Sequence, residues 1–154
     1  MKKQLTIELV PKTAWFSNVR SMVSRNDWDV LRKEAYRKAE YKCEICGGVG
    51  KHHPVECHEI WQYDDVNHIQ KLMSLIVLCP ACHEVKHIGL ANTRNRGGIA
   101  GEHLSEVNGW SKQKTNKYIH KQFTTWKKRS DFEWEIDLTW LEERGIEYKK
   151  DREI

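Results

Sequence analysis

The sequence predicts an α+β fold, a small strand–strand–helix core pinned by two cysteine pairs and set between helical flanks. Three observations predict it. Two C-x-x-C pairs, Cys43/Cys46 and Cys79/Cys82, stand with 32 residues between them, and each such turn presents two sulfurs at the separation a tetrahedral zinc ion requires. Between the pairs lie two runs with strand patterning, and a helix start follows the second. On either side, apolar residues recur at helical spacing.

The elements follow in chain order. Leu5, Ile7 and Leu9 make a strand-like start stopped by Pro11, and a short helix passes through Trp15, Val19, Met22 and Val23. Asn26 or Asp27 caps a second helix with Trp28, Leu31, Ala35, Tyr36 and Ala39 on one face. That helix leads into Tyr41-Lys-Cys-Glu-Ile-Cys46-Gly-Gly, where glycine permits the tight turn of a metal knuckle. Val55 to Tyr63 reads as a strand, Asp64 to Asn67 as a turn, and His68 to Leu78 as a second strand. Pro80 falls in the first turn of a helix, where its missing N–H does no harm, and that helix should end near Gly89. Residues 91–101 (ANTRNRGGIAG) read as a flexible loop carrying Arg94 and Arg96. A short helix near Glu102–Asn108, a longer one from Ser111 to Lys128, a strand-like run Glu133–Ile136 and a polar tail complete the chain. Residues 1–154 are therefore expected to form a single domain, with an N-terminal helical flank at 1–40, a zinc-stapled core at 41–90, and basic loop, helices and short strand at 91–154.

Composition narrows the class. Charged residues make up 31% of the chain and mean hydropathy is −0.75. The longest strongly apolar run, Leu72 to Cys79, falls far short of the ~20 residues that span a bilayer. The first residues, MKKQLTIELVPK, hold no apolar signal core, so a cytoplasmic location and no membrane partner are expected. Five cysteines, an odd number without an export signal, disfavour a disulfide framework. A structural Zn2+ on Cys43, Cys46, Cys79 and Cys82 is the expectation, and no organic cofactor is indicated. The net charge of +4 suits a polyanionic partner.

Histidines around the knuckles carry the chemistry. His83 and His87 are four apart on the predicted helix, so their rings share a face, as a ligand pair requires. His83 follows Cys82 directly, and adjacent helical residues point about 100° apart, so one helix can serve two ions. His58, on the first strand in Glu56-Cys57-His58-Glu59-Ile60, is the third candidate. Three imidazoles leave coordination positions open, the mark of a catalytic rather than a structural metal. Imidazole ligands leave Mg2+, Mn2+, Zn2+ and Ni2+ all admissible. His52 and His53, in Gly-Lys-His-His-Pro, read as loop residues within reach of phosphate.

Over about 45 residues, the runs CEIC, ECHEI and LIVLCPACHEVKH resemble the zinc-stapled HNH, or ββα-metal, endonucleases. The resemblance implies a treble-clef-like ββα-metal core, metal-dependent cleavage of DNA phosphodiesters, and insertion of the core into the minor groove. Laid on the family's first-strand pattern, His58 becomes the metal ligand and Glu59 takes the position of the general base. The other register makes His58 the base and Cys57 the ligand. The first is preferred, because His58, His83 and His87 then form an all-imidazole site similar to that of the colicin DNases. Where the family has Asn, five residues before Cys79, this chain has Ser74, which would take a supporting role with one fewer donor. Arg94 and Arg96, just past the metal helix, are the expected backbone contacts to DNA. The lysines of the long C-terminal helix read as its solvated face. The rival expectation is a catalytically inactive zinc-binding nucleic-acid or protein adaptor on the same scaffold.

Overall fold

The computed structural model describes residues 3–15, 18–50 and 53–150. It is an α+β arrangement of a three-stranded sheet and seven α-helices among those residues, with no helix long and apolar enough to cross a membrane.

Residues 5–10 run extended but join no sheet. Their polar backbone groups are met largely by side chains, which satisfies a buried segment as well as a ladder would. Asn108 accepts from Leu5 N and donates to Leu5 O, both at 2.8 Å, and the Tyr118 hydroxyl accepts from Ile7 N at 2.9 Å. One main-chain bond, Glu8 N to Lys86 O at 3.2 Å, fixes the register. A 3₁₀ turn, Lys12–Ala14, precedes helix α1 (Val19–Met22).

Helix α2 (Arg25–Lys38) is capped two to three residues earlier than Asn26 or Asp27 would place it. Ser24 is the cap, its hydroxyl accepting from Asp27 N at 3.1 Å, while Asn26 and Asp27 lie inside the first turn. The cysteine knuckle follows. Strands β1 (Glu56–Asp64) and β2 (Ile69–Leu78) form the antiparallel hairpin expected, and β3 (Glu135–Asp137) adds to β2 in parallel, so β1 is left as an edge. The Asp64 carboxylate accepts from Val66 N and Asn67 N and so shapes the hairpin turn.

Beyond β2, helix α3 (Pro80–Lys86) starts on Cys79 as cap with Pro80 at its first position. It stops at Lys86, and a separate helix α4 (Ile88–Thr93) continues after His87. The Gly- and Arg-containing segment expected as a loop is mostly helical: Ala91–Thr93 ends α4, and Gly97 opens helix α5 (Gly97–Asn108). A Cβ at Gly97 would stand 1.8 Å from Asn92 Oδ1, so glycine here permits two helices to meet rather than a chain to flex. Helix α6 (Lys112–Arg129) is capped by Ser111, and helix α7 (Thr139–Glu142) lies in the segment expected as a polar tail.

The sheet separates two cores. On one face Ile76, Leu78 and Ile60 pack with the cysteines, Val85, Ile88, Leu104 and the N-terminal Leu5 and Ile7. On the other, Leu72, Leu75 and Trp61 pack with Val19, Met22, Leu31 and Leu141. A bulge between Ile60 and Trp61 shifts the register, so Leu75 and Leu72, three residues apart, serve the same face.

Candidate metal centre and cavity

Among the described residues, Cys43, Cys46, Cys79 and Cys82 bring four sulfurs within 4.8 Å of one another, a group that can hold a metal such as zinc. Local structure assembles it. Gly47, at φ +77°, closes the first knuckle in a left-handed conformation. Main-chain N–H groups then point at sulfur: Cys46 N to Cys43 at 3.5 Å, Gly48 N to Cys46 at 3.4 Å, Cys82 N to Cys79 at 3.5 Å. Hydrogen bonds from the Cys79 and Cys82 thiols hold the Cys43 thiol far below its ordinary range, and the same contacts push Cys82 up. One sulfur accepts negative charge readily and its neighbours resist a second, a conflict that a divalent cation relieves. His103, on α5, places Nε2 3.2 Å from Cys82 Sγ.

A second group stands beside the first. His58, His83 and His87 offer one nitrogen each, all within 4.8 Å. Ring centroids lie 4.8 to 5.2 Å apart, and His83 Nε2 is 3.1 Å from His87 Nε2. His87 terminates α3 instead of lying within it, yet its N–H still reaches His83 O, so the two rings keep the shared face expected. His58 is 7% exposed, on the β1 face that carries Ile60 and Glu56.

Carboxylates back two of the three rings. Glu56 Oε2 lies 2.5 Å from His83 Nδ1, which leaves His83 Nε2 facing its partners, the carboxylate–histidine arrangement common behind metal ions. Glu8 Oε2 lies 2.5 Å from His58 Nε2. Its other oxygen accepts from Lys86 Nζ at 3.2 Å, and Lys86, 2% exposed, also reaches Thr6 Oγ1. Burial raises the Glu8 carboxyl, but the His58 hydrogen bond and the Lys86 charge outweigh it and hold the group below its ordinary value. Burial lowers His58 and takes His87 to about 4, so both rings are neutral at pH 7, the state that binds metal.

Glu59 and Cys57 project from the opposite face of β1 to His58. Both nevertheless line the same cavity of about 830 Å³, which runs along the free edge of the strand. Burial pushes the Glu59 carboxyl up to about 7, although Val19 N (3.0 Å), the Trp61 side chain and Arg20 N all donate to it. Burial also raises the Cys57 thiol to about 12, so it stays protonated, and it belongs to neither ligand group. Ser74 pairs with Ile60 on β2, one strand in from the edge, and does not line the cavity. Arg94 and Arg96 lie outside the cavity as well. Arg96 is committed to a two-pronged ion pair with Glu84, at 2.6 and 3.2 Å. His52 lies outside the described residues, and His53 is exposed.

Compared with known proteins, the chain matches no family model, no curated sequence and no solved structure. Its site is therefore read from its own residues. Several of these escaped sequence reasoning. Glu56 had a legible signal, since strand alternation puts it on the face of His58. Arg20, which lines the cavity, had none, and neither did Glu8 or His103, whose partners are 50 and 21 residues away.

Proposed function

We propose that the protein is a metal-dependent endonuclease of the HNH type, cleaving DNA phosphodiester bonds by metal-assisted hydrolysis. The observation that carries this reading is that an open three-imidazole group and a buried carboxylate raised to about 7 line one cavity, the carboxylate from the opposite face of β1. The four cysteines hold a structural Zn2+ on this reading, and the donor set fits it: closed, all-sulfur and braced by N–H groups.

His58, His83 and His87 would hold a second divalent ion, which when bound supplies Lewis-acid polarisation of a phosphate oxygen. The remaining work belongs to side chains. Glu56 fixes the tautomer of His83 so that Nε2 faces inward. Glu8, kept ionised by Lys86, orients His58 and adds negative charge near the ligands. Glu59 takes the proton from the attacking water. At about 7 its carboxylate is basic enough to accept that proton and ionised enough to be present, which an exposed glutamate near 4.3 is not.

The placement of Ser74 away from the cavity favours one rival, the adaptor that kept the scaffold and lost the chemistry. Supercoiled plasmid separates the two. With Mg2+, Mn2+, Ni2+ or Zn2+ the wild type should nick it, and His83→Ala and Glu59→Gln should each lower the rate at least about 100-fold. No nicking with any of the four ions, or nicking that survives both substitutions, sinks the nuclease.

A further inference from the structure

The cavity is larger and more aromatic than phosphodiester hydrolysis alone requires. At about 830 Å³ it falls within the range that encloses a molecule of drug size. A single nucleotide is of that size, and a base-paired duplex is not. Trp15, Trp28, Trp61, Tyr63, Phe123 and Trp126 all contribute to its walls.

Two of these rings share one anchor. Trp15 Nε1 and Trp126 Nε1 both donate to Val10 O, at 2.8 and 2.9 Å, so one carbonyl fixes two indoles. Flat surfaces ordered in advance bind planar ligands with little further loss of side-chain freedom. Lys12 Nζ sits 5.2 Å above the Trp126 ring and Arg20 lines the cavity, so two cations accompany the rings, while Glu8 and Glu59 line the same cavity. Positive charge flanking stacked aromatic faces is the chemistry by which proteins hold single strands. His58, His83, His87 and Glu59 meet the same cavity, so a nucleotide seated there brings its phosphate to the imidazoles.

We propose that this cavity receives one unpaired nucleotide, its base stacked among the indoles and its phosphate at the histidines, so that the protein acts on single-stranded or locally unpaired DNA in preference to intact duplex. The substrate assignment rests on the nuclease reading above, whereas the base pocket itself does not. Phe123 and Trp126 of α6 and Trp28 of α2 all line the cavity, and a base enters it only by leaving the helical stack.

The test uses the full chain, with its zinc retained and no added divalent ion. Binding is followed with a short single strand carrying 2-aminopurine and with the same sequence as duplex. The single strand should bind at least tenfold tighter and lose 2-aminopurine fluorescence through stacking on indole. Trp15→Ala removes a side chain that is 57% exposed, and Thr93→Trp fills the cavity from an exposed position on α4, so neither change threatens the fold. Each should weaken single-strand binding about tenfold and restore the fluorescence, given what one stacked base contributes. Equal or tighter duplex binding, or no response to either variant, overturns the pocket. Cleavage is scored separately. Plasmid nicking without single-strand preference removes the pocket and keeps the nuclease, and stacking without cleavage under any metal removes the nuclease and keeps the pocket.

Discussion

Glu59 occupies a position that works against the stability of the protein. Its carboxyl is raised to about 7 by burial, so the folded state favours the protonated form while the unfolded chain ionises near 4.5. The group's contribution is therefore fully present below pH 4.5 and lost as pH rises through about 7. Above that, the ionised carboxylate costs roughly 3 kcal/mol, at about 1.36 kcal/mol per unit of pKa. Gln keeps an oxygen for the Val19 N–H and removes the charge. Glu59→Gln should thus melt several degrees above wild type at pH 8 and show no advantage at pH 4, read by thermal unfolding across pH. If Glu59 is the base, wild-type nicking should also climb through pH 7 and level off above it. A variant that is inactive yet more stable is the signature of a residue kept for its chemistry. A Glu59→Gln protein that melts below wild type at pH 8 would remove this account.

At the scale of elements, the N-terminal segment deserves the weight that helices usually receive. It forms no strand, yet it delivers Glu8 to His58 and Lys86, and its position is set by Asn108 gripping Leu5 from α5. Asn108→Ala strands two buried main-chain groups and should destabilise the fold by about 1–3 kcal/mol. If both ligand groups bind metal as proposed, it should also weaken divalent-ion binding at the histidines and leave binding at the cysteines unchanged, as measured by metal titration. Equal affinity in the variant would show that Glu8 reaches its place by other means. This dependence was invisible in the sequence, because a side chain that serves as a lateral backbone partner leaves no periodic trace. What periodicity and spacing do encode came through: the hairpin, the Pro80 helix start, the cysteine knuckles and the shared face of His83 and His87. Residues 91–101 misled because glycine signals both turns and close packing, and at Gly97 the contact with Asn92 decides for packing. Asn26 and Asp27 misled because Ser24 lay just upstream and capped first.

For the whole molecule, the consequence of two ligand groups on one short helix is an unequal pair of sites. Cys79 and Cys82 belong to a closed set buried in the core, and His83 and His87 to an open one at a cavity. Purified protein should carry about one zinc that resists dialysis and a second ion that exchanges. A strong chelator that takes the first should abolish cooperative unfolding, whereas His83→Ala should lose only the second. His103→Ala should speed zinc release by removing the imidazole beside Cys82 Sγ. Two ions lost together, at one chelator concentration, would contradict this division. The sequence made the division legible through residue type alone, thiolate against imidazole, but gave no hint of the cavity, whose walls come from the N-terminal segment, α1, α2, β1, α3, α4 and α6 together.

The unpaired edge of β1 has a further consequence, one of solubility. A nine-residue edge strand presents a row of vacant hydrogen-bonding groups, the usual starting point for strands of neighbouring molecules to add on and polymerise. Here residues of that strand share one cavity with the indoles and with α6. If the hollow also keeps a second copy of the chain from adding to the strand, substitutions that flatten its walls should first be seen as aggregation.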